Sequence, residues 1–219
     1  MNKHNHRVNR ITTGITIFLL VAVTSFAQDD EIPTYHTKRD GFAKIMEPDI
    51  RKDLASFTLG GLDEAVGKQP LQPVPITEYG ANYTLFSQGN MQIRITAAPF
   101  EKAKHKLALY DEDKYVIKID NRPYWGVDGK VPVKQIQSVV AIFGRDTVAL
   151  PAPAYNDLFE PRFCSDADGK IQCNCAVYLS PDQKRVYIYM LNSDGKNGYE
   201  VTWVLQDKKY LRRVIDYGF

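Results

Sequence analysis

The sequence predicts an all-β fold: an antiparallel sandwich or partly open barrel of about ten strands, with one short N-terminal helical segment. Three observations carry this. Short runs of alternating apolar and polar residues recur along most of the chain. Turn residues punctuate them at the spacing of strand meanders. The last third, Cys164 to Phe219, strings hairpin signals end to end.

Residues 1–27 read as a secretory signal. Lys3, Arg7 and Arg10 form a basic start, Ile11 to Phe26 an apolar run, and Ser25-Phe26-Ala27 a small-x-small cleavage pattern. Gln28 follows where a lipoprotein would carry Cys, and an uncleaved anchor is the alternative. Cleavage leaves 192 residues with 25 Lys+Arg against 26 Asp+Glu, a net charge near −1. That balance argues against a nucleic-acid partner. The leader predicts a location in the periplasm or at the cell surface, and short, charged strands predict no membrane insertion after signal cleavage.

Residues 28–40 read as a flexible lead-in, and 41–219 as a single β-rich domain. Pro48 suits the first turn of a helix. Ile50, Leu54 and Phe57 then fall on one helical face, although Leu54 to Leu59 also fits a strand. Leu62 to Val66 reads as one further helical turn. Pro70, Pro73 and Pro75 mark an extended connector, with strands beginning in earnest after Gly80.

Strands are expected over Tyr83–Ser87, Met91–Ala97, Lys106–Tyr110, Tyr115–Asp120, Ile136–Phe143 and Thr147–Leu150. Met91, Ile93, Ile95 and Ala97 alternate with Gln92, Arg94 and Thr96, the pattern of a strand buried on one face. Asn121 to Pro132 is a turn-rich loop, and Pro151 to Pro161 a proline-rich connection.

The last third turns on Asp168-Gly169, a type I′ hairpin signal. Counting outward, Cys164 faces Cys173 on a non-hydrogen-bonded pair, where Cα atoms stand about 4.5 Å apart. That spacing suits a disulfide. The rival pairing, Cys164 with Cys175, needs a turn at Gly169-Lys170. The Cys164–Cys173 pairing is preferred, which leaves Cys175 a free, buried thiol. After it come strands over Ala176–Ser180, Arg185–Asn192, Tyr199–Gln206 and Tyr210–Tyr217, with a loop over 193–198. Arg185–Asn192 is apolar on both faces, so it is expected to be covered on both sides.

The chemistry is sparse. No His-Glu-x-x-His, Gly-x-Ser-x-Gly or phosphate-binding glycine loop is present. Outside the leader the histidines are His36 and His105. Setting Gly169 at the turn position of a calcium loop puts Cys164 and Cys175 at its first and last ligand positions, so that reading fails. No catalytic residue, metal or cofactor is assigned.

The remaining signal is aromatic. Tyr124 and Trp125 lie in the Asn121–Pro132 loop, where exposed rings serve as binding anchors. The alternative is that they pack under the loop as a satellite cluster.

The expected function is a non-catalytic, exported β-sandwich domain that binds a protein or glycan of the cell envelope. A first alternative is an exported hydrolase acting on a glycan or peptide through loop carboxylates such as Asp128, Asp157 and Glu160. A second is a small outer-membrane barrel, because the ending Ile215-x-Tyr217-x-Phe219 resembles the aromatic ending of that class. Spanning strands need about 9–11 residues with an outward apolar band, which most segments here lack.

Overall fold

The alternating segments resolve into two stacked sheets. The computed structural model describes residues 40–64, 69–192 and 198–217. They lie within one compact unit, Ile32–Phe219. The leader read over 1–27, the lead-in up to residue 39, the end of the turn read at Leu62–Val66 and most of the 193–198 loop fall outside them.

In chain order the strands are β1 (Gln72–Pro73), β2 (Ile76–Gly80), β3 (Tyr83–Gln88), β4 (Met91–Pro99), β5 (Leu107–Tyr110), β6 (Tyr115–Ile119) and β7 (Lys134–Phe143). Then come β8 (Asp146–Ala149), β9 (Cys164–Ala167), β10 (Lys170–Cys173), β11 (Cys175–Leu179), β12 (Arg185–Asn192), β13 (Tyr199–Gln206) and β14 (Lys209–Tyr217). One five-stranded sheet has the order β2-β3-β4-β7-β8 and the other β1-β11-β12-β13-β14. β5–β6 and β9–β10 stand apart as two-stranded hairpins. The pairings are antiparallel, as tight turns between successive strands require.

The two sheets bury their apolar faces against each other. Phe86, Ile93, Ile95 and Val139 come from the first sheet; Ile188, Met190, Val201 and Trp203 come from the second. Gln92 and Arg94, between the buried residues of β4, face out. The fold is therefore a filled sandwich. Its inward apolar packing is the reverse of the outward apolar band of a membrane barrel.

The second sheet is covered on its outer face as well. Two short helices, α1 (Asp40–Ala43) and α2 (Pro48–Leu54), lie there. Phe42, Ile45, Ile50 and Leu54 pack against Tyr187, Val204 and Val214. This is why β12 is apolar on both sides. Pro48 opens α2, Asp49 sits in its first turn, and Arg51 and Lys52 sit in its last, where the helix dipole favours each sign. The helix reading of Ile50 and Leu54 thus prevails over the strand reading.

Polar clips hold this cover down. Asp53 Oδ2 accepts from the Tyr187 hydroxyl at 2.6 Å and from Arg185 Nη2 at 3.1 Å. Glu200 accepts the N–H groups of Leu59 at 2.8 Å and Gly60 at 2.5 Å, and the Tyr189 hydroxyl at 3.0 Å. Asp216 accepts the N–H groups of Gly41 at 2.9 Å and Phe42 at 3.1 Å.

Two local expectations are corrected. Strands begin before Gly80, with β2 at Ile76–Gly80. The proline connector also contributes β1, whose Gln72 and Pro73 pair with Leu179 and Tyr178. Proline is tolerated there because β1 is an edge, where a missing N–H breaks no interior ladder. The helical cover likewise starts earlier than read, at Asp40.

The cysteine reading holds. Asp168 and Gly169 take positive φ, 51° and 73°, as a primed turn demands. Cys173 then stands opposite Cys164, and the two are bonded. Cys175 is free and buried.

Candidate functional site

The Asn121–Pro132 loop begins with a sharp reversal. Asp120 and Asn121 take positive φ, 53° and 62°, so Arg122 bonds straight back to Ile119. Tyr124 is thereby driven under β6 and is 6% exposed. Its hydroxyl donates to the Val116 carbonyl at 2.5 Å, and its ring meets Phe159 edge-on. Burial pushes its phenol up to about 12. Tyr124 therefore belongs to a satellite cluster with Val116, Ile119 and Phe159, and offers no anchoring surface.

Trp125 has a different place. Its N–H donates to the Asp157 carbonyl, and its own carbonyl accepts the Phe159 N–H. Gly126 follows at φ 104°, and a Cβ there would stand 2.1 Å from the Phe159 carbonyl oxygen. Only glycine permits this close approach. The clamp sets the half-buried Trp125 ring against Tyr217 at the end of β14, with centroids 4.7 Å apart and planes 28° from parallel.

That stack forms one end of an open cleft of about 390 Å³. Arg212, Arg213, Val214 and Ile215 line it in unbroken succession. A pocket over one sheet face would take alternate residues. Consecutive lining means the cleft runs along the strand's edge, and β14 is the edge of its sheet. Gly41, Lys44 and Ile45 line it as well.

Basic side chains line the cleft, and its two arginines are paired with acids. Lys44 is exposed at the rim. Arg213 forms a bidentate pair with Asp157, at 2.5 and 2.6 Å. Burial disfavours its charge, but the bonds to Asp157 outweigh this and hold its pKa up. Arg212 pairs with Glu47, while its Nε–H finds no acceptor among the described residues. The site can thus offer backbone groups of an edge strand, an aromatic wall and guanidinium donors.

The loop carboxylates are otherwise committed. Asp157 serves Arg213, and Glu160 accepts the N–H groups of Val133 at 2.5 Å and Lys134 at 3.0 Å. Asp120 and Asp157 share a cavity of about 160 Å³ with Arg122, Tyr124 and Asn156. Asp120 bonds His105 Nδ1 at 2.8 Å. Slight burial pushes its pKa up, but bonds from His105 and the Lys106 N–H, with the charges of His105 and Arg122, hold it below the usual range. A glycosidase acid needs the opposite shift. Burial pushes the Glu200 carboxyl up, but it lies sealed beneath Leu59 and Gly60.

His105 and Cys175 are not brought together. His105 stacks on Phe100, whereas Cys175 contacts Thr84 in the core, where burial raises its pKa to about 11. No group of three or more His, Cys, Asp or Glu suited to a metal occurs among the described residues.

Sequence reasoning singled out Trp125 and passed over Lys44, Arg212, Arg213 and Tyr217, which line the same cleft. The signal for Tyr217 was present in the alternating ending Ile215-x-Tyr217. It marks an edge strand of a sandwich, where it had suggested a barrel closure.

The fold and site define a class: a two-sheet antiparallel β-sandwich with a cleft of paired arginines and aromatic rings beside its outermost strand. Comparison with family models, with curated proteins and with solved structures gives no match to this chain.

Proposed function

We propose that this chain is an exported, non-catalytic binding domain that takes an extended polypeptide of the cell envelope along the β14 edge. The observation that carries the reading is the succession Arg212-Arg213-Val214-Ile215 along the cleft, on the outermost strand of its sheet and beside the Trp125 ring. An incoming strand can extend such an edge through main-chain hydrogen bonds, with pockets selecting its side chains. Export is supported by the leader pattern of residues 1–27 and by the Cys164–Cys173 bond, which persists in oxidising compartments. No described helix is long and apolar enough to cross a membrane.

The test is a photo-crosslinking residue at position 212, expressed in whole envelopes. A captured polypeptide, lost in Trp125→Ala, is expected. Capture of polysaccharide instead, or of polypeptide equally with and without Trp125, overturns the reading.

A further inference from the structure

The cavity of about 160 Å³ beside the Asp120-Asn121 turn shares no lining residue with the β14 cleft. Asp120, Arg122, Asn156 and Asp157 line it, together with the buried Ile119 and Phe159. Two of its polar groups are fixed acceptors, and the other two are open donors.

The acceptors are held by neighbours. Asp120 Oδ1 accepts the Lys106 N–H at 2.9 Å, and Oδ2 bonds His105 Nδ1 at 2.8 Å. His105 is itself stacked on Phe100, with ring centroids 4.4 Å apart. Asp157 is gripped at both oxygens by Arg213. A carboxylate has about four lone-pair sites, so each acid, with two bonds made, keeps about two to offer. Their orientation is set before any ligand arrives, which spares the ligand that ordering cost.

The donors are uncommitted. Among the described residues, neither the Arg122 guanidinium nor the exposed Asn156 amide makes a hydrogen bond. Arg122 acts on Asp120 through its charge. Its main chain is nevertheless fixed: Ile119 and Arg122 exchange both N–H to carbonyl bonds, each at 3.0 Å. Asp120 and Asn121, at φ 53° and 62°, make the two-residue turn between them.

This set of groups selects its ligand. Asp157 is matched by Arg213, and Asp120 has the Arg122 charge beside it, so no surplus charge is left to hold an ion. Fixed acceptors beside open donors call for a ligand that donates and accepts through adjacent atoms. Neutral hydroxyls do both. Sites for drug-sized ligands run to about 300–1,000 Å³, so this smaller cavity has room for one ring and not for a chain.

We propose that this cavity binds a single neutral pyranose ring, with Asp120 and Asp157 accepting from its hydroxyls and Arg122 and Asn156 donating to their oxygens. The ring is a free monosaccharide or the end residue of a glycan; the recognition chemistry is the same. A ring that carries a carboxylate meets two fixed acids and is disfavoured. The site is independent of the β14 edge, and the polypeptide reading of that cleft does not depend on it.

The experiment titrates the purified mature domain with the methyl glycosides of glucose, galactose, mannose and N-acetylglucosamine, read by saturation-transfer NMR. At least one should saturate with a Kd of about 1 mM, which four net hydrogen bonds of ordinary strength supply. Arg122→Ala and Asn156→Ala should each weaken it about tenfold. Melting curves check that both variants stay folded; if Asn156→Ala does not, the isosteric Asn156→Asp takes its place and should lose binding too. The methyl glycoside of glucuronic acid should bind more weakly than that of glucose. The same affinity for methyl glycoside and free sugar assigns the site to a glycan end, and binding of the free sugar alone assigns it to a monosaccharide. No saturation by any of these sugars, free or methylated, overturns the proposal. So does binding that is unchanged in both variants, or a glucuronide bound as tightly as the glucoside.

Discussion

Glu200 and Asp216 stand directly opposite each other on β13 and β14, both 2% exposed. A Cβ placed on Gly60 would lie 2.8 Å from Asp216 Oδ2 and 3.1 Å from Glu200 Oε1. Two acids thus share one patch beneath the N-terminal segment. Like charges placed opposite on neighbouring strands repel. The main-chain N–H groups of Gly41, Phe42, Leu59 and Gly60 are what they hold.

Burial raises the Glu200 pKa above its ordinary value of 4.5, only partly offset by the bonds from Leu59, Gly60 and Tyr189. The folded chain therefore binds this proton more tightly than the unfolded chain. Stability gains from Glu200 as pH falls through the raised folded value, and the gain is complete below 4.5. The stability difference between wild type and Glu200→Gln, from denaturant midpoints at a series of pH values, should carry that slope. A flat difference, or one of opposite sign, would contradict it.

Asp53 neutralises Arg185 and accepts the Tyr187 hydroxyl under α2. Asp53→Ala leaves a largely buried guanidinium unpaired and should cost about 3 kcal/mol. The double variant Asp53→Leu/Arg185→Met should recover most of that loss in the same urea titration.

Tyr124 and Trp125 should separate cleanly. Tyr124→Phe should cost about 1 kcal/mol through the lost bond to Val116. Tyr124→Ala should cost about 3–5 kcal/mol through the cavity it opens. Trp125→Ala, at a half-buried position, should unfold nothing and cost less than Tyr124→Ala. Thermal melts read all three.

Gly126→Ala should be the most damaging single methyl in the loop. Its φ of 104° and the Phe159 carbonyl at 2.1 Å leave no room for the side chain. Loss of about 3 kcal/mol or more, or failure to fold, is expected. An unchanged melting temperature would mean that the loop path is different.

The oxidised, denatured protein should titrate with one thiol, that of Cys175. Native Cys175 should react slowly at neutral pH, because burial raises its pKa to about 11. Replacing Cys164 and Cys173 by Ser opens a bridge of sequence separation 9 and should cost about 2–3 kcal/mol.

Local patterns were legible wherever one physical cause governed them. Period-two alternation placed β4 and β12, and the Asp168-Gly169 turn carried the whole register to Cys164 opposite Cys173. The two-sided apolarity of β12 announced a cover without naming α1 or α2. Relations between distant segments were not legible. Trp125 meets Tyr217 only because a 120–132 loop and the last strand share an edge. Arg212 and Arg213 resemble ordinary strand charges until their strand is known to be outermost. Tyr124 and Trp125 are neighbours in sequence, yet the Asp120-Asn121 reversal sends one ring inward and the other to the cleft.

Asp216 accepts the Gly41 N–H across 175 residues, and a Cβ on Gly41 would lie 2.0 Å from the Ile215 carbonyl oxygen. The first helix of the described body therefore rests on the last of its strands in sequence. α2 can seat on Tyr187 and Val204, whereas α1 gains its bonds to Asp216 only once β14 is in place, so that part of the cover assembles late. Contacts of such long range slow folding.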